Sequence, residues 1–292
     1  DSRAMVCAIE AATGRVRWSK QVAETNTRFF GLTRRDDSVI VTNETELFEI
    51  ELRTGNTLDR TQLHGIATTR PVFFGPLAVM GTAKGRLVAI DVRHDLRVWE
   101  YQFDGLIESD PIRLDDERLA GISTRGEIRV LEAATARGLA DMRISGDSAE
   151  SMVSDGFALI VGSLDQSLYG FDTDDGHRLW RLRSSAPVTV QPVLIGGTVY
   201  ATTADHGLLA MDSLSGEILW NNDRLGGWVV TTNDGDLMVW TGHELLRVDA
   251  ERGDLINRLP LPGMAGLRAD SPEDGNIYAI AAGGSIARFS PR

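Results

Sequence analysis

The sequence predicts an all-β chain, a β-propeller of four-stranded blades, on three observations. A segment of about 40 residues recurs along the chain. Each repeat divides into about four strand-like runs separated by Gly, Asp and Ser turns. No stretch sustains the 3.6-residue apolar period that a helix would need.

The repeat is read most easily through one segment: an apolar strand, an acid, a short turn, then a second strand. Its copies are VCAIEAATGRVRW, LFEIELRTGNTLD, LVAIDVRHDLRVW, IRVLEAATARGLA, LYGFDTDDGHRLW, LLAMDSLSGEILW and LLRVDAERGDLIN. Their turn anchors fall at Gly14, Gly55, Asp95, Ala136, Gly176, Gly216 and Gly253, spaced by 41, 40, 41, 40, 40 and 37 residues. Four residues before each anchor stands a carboxylate: Glu10, Glu51, Asp91, Glu132, Asp172, Asp212 and Asp249. The residue before that acid is always apolar, from Ile9 and Ile50 through to Val248. Four residues after the anchor comes Trp18, Trp99, Trp180 or Trp220, with Asp59, Ala140 and Asn257 in the other copies. Registered columns of this kind define a true repeat.

Within one unit the four runs are TVQPVLI, TVYATTA, GLLAMDS and EILWNND. The third run is apolar almost throughout, as in Leu87, Val88, Ala89 and Ile90. Such a strand is buried on both faces, as happens when sheets stack like blades. The whole chain, 1–292, is read as one propeller domain. It begins with third- and fourth-strand segments and ends with first, second and third strands near GLRADS, NIYAIAA and SIARFS. Seven blades is the economical arrangement, with RVRWSKQ completing the C-terminal sheet. Eight blades, with the chain a fragment, is the alternative.

The pattern A-hydrophobic-D-x-x-T/S-G-x-x-x-W resembles the tryptophan-docking motif of PQQ-like (quinoprotein-like) propellers. That resemblance implies structural work for Trp18, Trp99, Trp180 and Trp220, each wedged between neighbouring blades. It also implies that Glu10, Asp91, Asp172 and Asp212 satisfy donors of the turn backbone. Among PQQ-like propellers the chain is most similar to the BamB-type outer-membrane assembly scaffolds. The resemblance implies a non-catalytic protein that docks a protein partner through a propeller face, holds no cofactor and works in the bacterial envelope. A ligand- or glycan-binding sensor domain of a larger receptor or kinase is the alternative, and a PQQ-dependent dehydrogenase a more distant one. The larger quinoprotein dehydrogenases carry vicinal cysteines over the quinone, and Cys7 is the only cysteine in this chain. Their roof is built from long insertions, whereas the repeat spacing here is nearly constant.

Charge and composition set further bounds. The net charge of −12 opposes nucleic acid as a partner, since a phosphate backbone calls for clustered Lys and Arg. No apolar run approaches the ~20 residues of a membrane helix. The opening DSRAMVCAIE shows neither the basic start nor the apolar segment of a signal peptide. A lone cysteine excludes an intrachain disulfide and is compatible with a periplasmic or other extracytoplasmic location, or with the cytoplasm.

Several polar residues invite a site. His206 and His243 each lie ten residues before an anchor, where two equivalent turns could share a metal, though exposed turn residues are the simpler reading. His64, His94 and His177 fall in other turns. Asp165 and Asp205 could suggest calcium, but two turn acids more often cap backbone. Trp228 and Trp240 lie outside the docking column, and Trp is favoured at interface anchors. They are the candidate interaction surface.

Overall fold

A computed structural model of the protein describes residues 4–24, 27–63, 65–146 and 148–289. His64 lies outside the described residues. The structure is all-β, a β-propeller of four-stranded blades, and it divides into two units, Asp1–Arg143 and Ile144–Arg292. No helix of the described residues is long and apolar enough to cross a membrane.

In the first unit, β1 (Met5–Ile9) and β2 (Val16–Gln21) form a two-stranded sheet. Three complete blades follow. The first is β3 (Phe29–Arg35), β4 (Ser38–Asn43), β5 (Glu46–Glu51) and β6 (Thr57–Gln62). The second is β7 (Val72–Phe74), β8 (Leu77–Thr82), β9 (Arg86–Asp91) and β10 (Leu96–Gln102). The third is β11 (Ile112–Arg113), β12 (Arg118–Ile122), β13 (Glu127–Glu132) and β14 (Gly138–Arg143).

The second unit contributes three more complete blades. They are β15 (Ser148–Ser154) to β18 (Arg178–Arg183) through β16 (Ala158–Ser163) and β17 (Ser167–Asp172); β19 (Val193–Ile195) to β22 (Ile218–Asn222) through β20 (Thr198–Thr203) and β21 (Gly207–Asp212); and β23 (Trp228–Asn233) to β26 (Leu255–Pro260) through β24 (Asp236–Trp240) and β25 (Glu244–Asp249). A three-stranded sheet of β27 (Met264–Ala269), β28 (Ile277–Ala281) and β29 (Ile286–Phe289) ends it. Every sheet is an antiparallel meander in chain order. Pro71, Pro111 and Pro192 each precede a short first strand, where a missing N–H costs no ladder bond.

Within the first unit β1 pairs with β2 through a tight turn, Met5 opposite Gln21 and Ala8 opposite Trp18, and within the second β29 pairs with β28.

The two-faced burial of the third strands follows the pleat. Leu87 and Ala89 of β9 pack with Leu119 and Leu131 of the following sheet. Their neighbours Val88 and Ile90 pack with Ile40 and Leu47 of the preceding one. One apolar strand thus serves two interfaces, which is why its sequence does not alternate.

The anchor column has a backbone cause. All seven anchors have positive φ, from 52° at Asp95 to 80° at Gly176. Gly adopts that conformation without steric cost, and Asp tolerates it better than most residues.

Candidate functional site

Each anchor turn is built around its acid. In every anchor turn but that of Asp95 the anchor N–H donates to the backbone carbonyl of the acid, as from Gly55 to Glu51 at 2.9 Å and from Gly216 to Asp212 at 3.0 Å; in the Asp95 turn it is the His94 N–H that reaches the Asp91 carbonyl, at 3.3 Å. The side chain then does one of two things. Aspartates accept from the backbone ahead: Asp212 Oδ1 takes the N–H of Leu214 at 3.1 Å and of Ser215 at 2.7 Å, and Asp172 Oδ1 takes that of Asp174 at 2.7 Å. Glutamates, one methylene longer, accept instead from the hydroxyl of a threonine three residues on. Thr13 donates to Glu10 at 2.5 Å, and Thr54 and Thr135 donate to Glu51 and Glu132. These hydrogen bonds favour the ionised acid. The carboxyls of Asp212, Asp91 and Glu132 are held below their ordinary range, chiefly by the Ser215 backbone N–H, the His94 ring and the Thr135 hydroxyl respectively.

Across the interface between blades, the tryptophans meet the next turn. Each indole Nε1–H donates to the backbone carbonyl of the residue just after the next repeat's acid. Trp18 reaches Leu52 at 3.0 Å, Trp99 reaches Ala133 at 2.9 Å, Trp180 reaches Ser213 at 2.8 Å and Trp220 reaches Ala250 at 2.8 Å. The rings lie flat against the next anchor. A Cβ on Gly55 would come within 2.6 Å of the Trp18 ring, and one on Gly216 or Gly253 would likewise overlap Trp180 or Trp220. Those glycines are therefore fixed twice, by φ and by the indole.

Asp59 stands in the Trp column of the first complete blade and leaves its slot open. A groove of about 400 Å³ lies there, lined among others by Glu49, Glu51, Leu58, Asp59, Val92 and Arg93. Val92 follows Asp91, so it holds the register of the carbonyls that accept an indole elsewhere.

The remaining candidates resolve as follows. His206 Nδ1 lies 3.1 Å from the hydroxyl of Thr203, and His243 Nδ1 lies 3.5 Å from that of Thr241, so each ring serves its own turn. Asp205 takes the Ser185 N–H at 2.5 Å and the Ser185 hydroxyl at 2.6 Å, bonds that lower its pKa. Asp165 accepts from the Tyr169 hydroxyl and from Arg181 at 3.3 Å. Asp172, Asp175 and His177 place one ligand atom each within 4.8 Å of the others, but Asp175 and His177 are exposed turn groups and Asp172 is half-buried. Asp175 Oδ1 already takes the His177 N–H at 2.9 Å and faces its Nδ1 at 2.5 Å, which raises the pKa of the imidazole.

Of the two tryptophans expected at an interaction surface, Trp240 is a correction. It is only 8% exposed and packs with Val230, Leu245, Leu267, Ile277 and Ala279, because its place at the end of a second strand points it into the interface between sheets. Trp228 is half-buried at the rim of that cluster, with the Arg268 guanidinium 4.6 Å from its ring centre. Beside them is a feature that sequence reasoning missed, an apolar groove of about 200 Å³ lined by Met238, Leu259, Leu261, Leu267 and Phe289 among others. Phe289 occupies the register in which Ile50, Ile90, Leu131, Phe171, Met211 and Val248 are buried, yet it is 43% exposed.

Known proteins resemble the chain in both sequence and fold. A Yersinia pestis protein named outer membrane protein assembly factor BamB is 23% identical over 84% of this chain and 63% of its own length. The chain thus spans less than two thirds of the curated assembly factors it matches first, and a third of one of them. A quinoprotein ethanol dehydrogenase of Pseudomonas putida is 24% identical, but over only 31% of this chain and 16% of its own. The crystal structure of BamB from Moraxella catarrhalis superposes with a TM-score of 0.78 at 19% identity, covering 99% of this chain and 89% of that one. A family profile described as outer membrane protein assembly factor BamB matches residues 1–124 and 124–271, and the chain belongs to that family.

Proposed function

We propose that the protein is a non-catalytic scaffold that docks a protein partner during assembly of outer-membrane proteins, in the extracytoplasmic envelope. The family match over residues 1–124 and 124–271 carries this reading. The repeats support it physically. Their most regular residues, the turn acids and docking tryptophans, are occupied in holding blades together, which leaves loops and strand edges for recognition.

The partner-facing region proposed here is the rim that holds Trp228 together with the apolar groove around Phe289. Exposed Leu259 and Phe289 beside a half-buried tryptophan offer the aromatic and aliphatic anchors that dominate binding energy at protein interfaces.

The test is site-specific crosslinking in the source organism's envelope, with a photoreactive residue at Phe289 or Leu259 of the full-length protein. A crosslink to a component of the outer-membrane assembly machinery, absent when the photoreactive residue sits at Val16, supports the proposal. Accumulation in the cytoplasm, or equal labelling from both positions, overturns it.

A further inference from the structure

We infer that the apolar groove of the second unit receives one tryptophan side chain of a partner protein, whose indole N–H donates to Asn233. The groove lies between two sheets. Met238, Leu245 and Leu259 line it from β24, β25 and β26, and Leu267, Ile277 and Phe289 line it from β27, β28 and β29. Its floor is closed, since Leu245, Leu267 and Ile277 are no more than 7% exposed. Its lip is open, with Leu259 47% and Phe289 43% exposed.

One polar group is set into this apolar wall. Asn233 closes β23 opposite Asp236 and is the only polar side chain among the described residues that line the groove. Its Oδ1 is buried and accepts no hydrogen bond. A buried acceptor left without a donor costs the desolvation of that group, and folded chains rarely carry one. Donors close by in sequence are committed elsewhere: Arg247 Nε donates to Asp236 at 2.5 Å, and the Asp234 N–H donates to Asp274 at 3.1 Å. An occupant that matches the groove is therefore apolar over most of its surface and brings one donor.

The choice among side chains follows from shape and donor count. A dry apolar cavity of roughly 150 Å³ takes a single benzene ring, and this groove of about 200 Å³ has room for a second fused ring. A lysine or arginine would bring a charge to a groove that no carboxylate lines. A tyrosine hydroxyl would donate but leave its own lone pairs unmet, whereas the indole N–H is a donor only. The chain itself already seats indoles this way. Trp180 and Trp220 each fill an interface between sheets of the second unit and donate one N–H to an acceptor there. In the strand that should supply the next one, β26, the tryptophan column holds Asn257, which is exposed. This interface lacks an indole of its own.

Only the source of the tryptophan, a partner protein, rests on the scaffold reading, so binding can be measured on the chain alone. The probes are N-acetyltryptophanamide and its 1-methylindole analogue, which keeps both rings and loses the donor. The readout is the methyl spectrum of protein ¹³C-labelled at Met, Leu and Ile. N-acetyltryptophanamide should shift the Met238, Leu259 and Leu267 methyls saturably, and the 1-methyl analogue should bind about fivefold more weakly for want of one hydrogen bond. Asn233→Leu should bring the two probes to equal affinity while methyls outside the groove keep their shifts. Leu259→Asp, at an exposed position, should abolish binding of both. Absence of shifts at those three methyls, equal affinity of the two probes for the wild-type chain, or unchanged affinity in Leu259→Asp would each overturn the assignment. A preference that survives in Asn233→Leu would overturn it as well. If the probes bind as stated but the envelope crosslinks fail, the indole site stands and the scaffold role does not. Crosslinks from Phe289 without indole binding would sink the indole site and leave the scaffold role standing.

Discussion

The indole N–H of Trp220 donates to the carbonyl oxygen of Ala250 at 2.8 Å while its ring covers the turn that ends at Gly253. One side chain thereby joins two blades of the second unit through a hydrogen bond and a flat apolar contact. Trp220 is 9% exposed and packs with Tyr200, Leu225, Leu237 and Val248. Truncation leaves a cavity and an unpaired carbonyl together. Trp220→Ala should cost about 3–5 kcal/mol of stability. A urea titration that leaves the midpoint where it was would contradict this.

The glycines of the anchor column separate two effects that usually coincide. Gly14 and Gly253 have φ of 71° and 74°, so alanine meets a similar backbone penalty at both. A Cβ at Gly14 meets nothing within 4 Å, whereas at Gly253 it would overlap the Trp220 ring. Gly14→Ala should cost about 1 kcal/mol, and Gly253→Ala about 1–3 kcal/mol more through forced repacking. Equal losses in paired thermal melts would show that the indole gives way freely.

Ala136 offers the reverse experiment. It holds φ of 60° in the turn that receives Trp99, where the turns that receive Trp18, Trp180 and Trp220 use glycine. Ala136→Gly should relieve left-handed strain and raise stability by up to about 1 kcal/mol. A loss of stability would mean that the methyl group contributes packing against the indole beyond the strain it imposes.

These positions also mark how far the sequence could be read. The acid, glycine and tryptophan columns were visible because each answers to a local demand, a turn donor, a positive φ or a flat slot, repeated at constant spacing. The pairing of glutamates with a threonine three residues on, in Glu10–Thr13, Glu51–Thr54 and Glu132–Thr135, was equally available, since the extra methylene of glutamate calls for a different partner from that of aspartate. The coincidence of Asp59 in the tryptophan column with Asp95 in the next glycine column also stood in the sequence. Strand pairing at the termini was not legible. β1 and β29 carry the same third-strand pattern, and a pattern fixes which face is buried without naming the neighbour. Trp240 misled for a related reason. Its column does not show whether the end of a second strand points inward or toward solvent.

The turn acids make stability sensitive to low pH, and the sign follows from their shifts. Asp91, Asp205 and Asp212 are held below the ordinary aspartate value of 3.8, and Glu132 below the glutamate value of 4.5, by donors that exist only in the folded turns. An acid depressed in the folded state contributes its stabilisation fully above its unfolded pKa and loses it as pH falls through the folded value. His177 acts in the opposite sense. Its pKa is raised above 6.5 by Asp175, so its contribution is complete below 6.5 and fades as pH rises through the folded value. Both effects are screened at these exposed positions, and the acids outnumber the histidine. Unfolding midpoints should therefore change little between pH 5 and 8 and fall steadily below about pH 4.5. Asp212→Asn should flatten the acid limb slightly while leaving the neutral midpoint close to wild type, because asparagine keeps an oxygen to accept from Leu214 and Ser215. An acid limb of unchanged steepness in Asp212→Asn, measured by circular dichroism from pH 2.5 to 7, would show that the turn acids do not set it. A neutral-pH midpoint that falls by as much as in Trp220→Ala would show instead that the charge on Asp212 holds the turn, and not merely its acceptor oxygen.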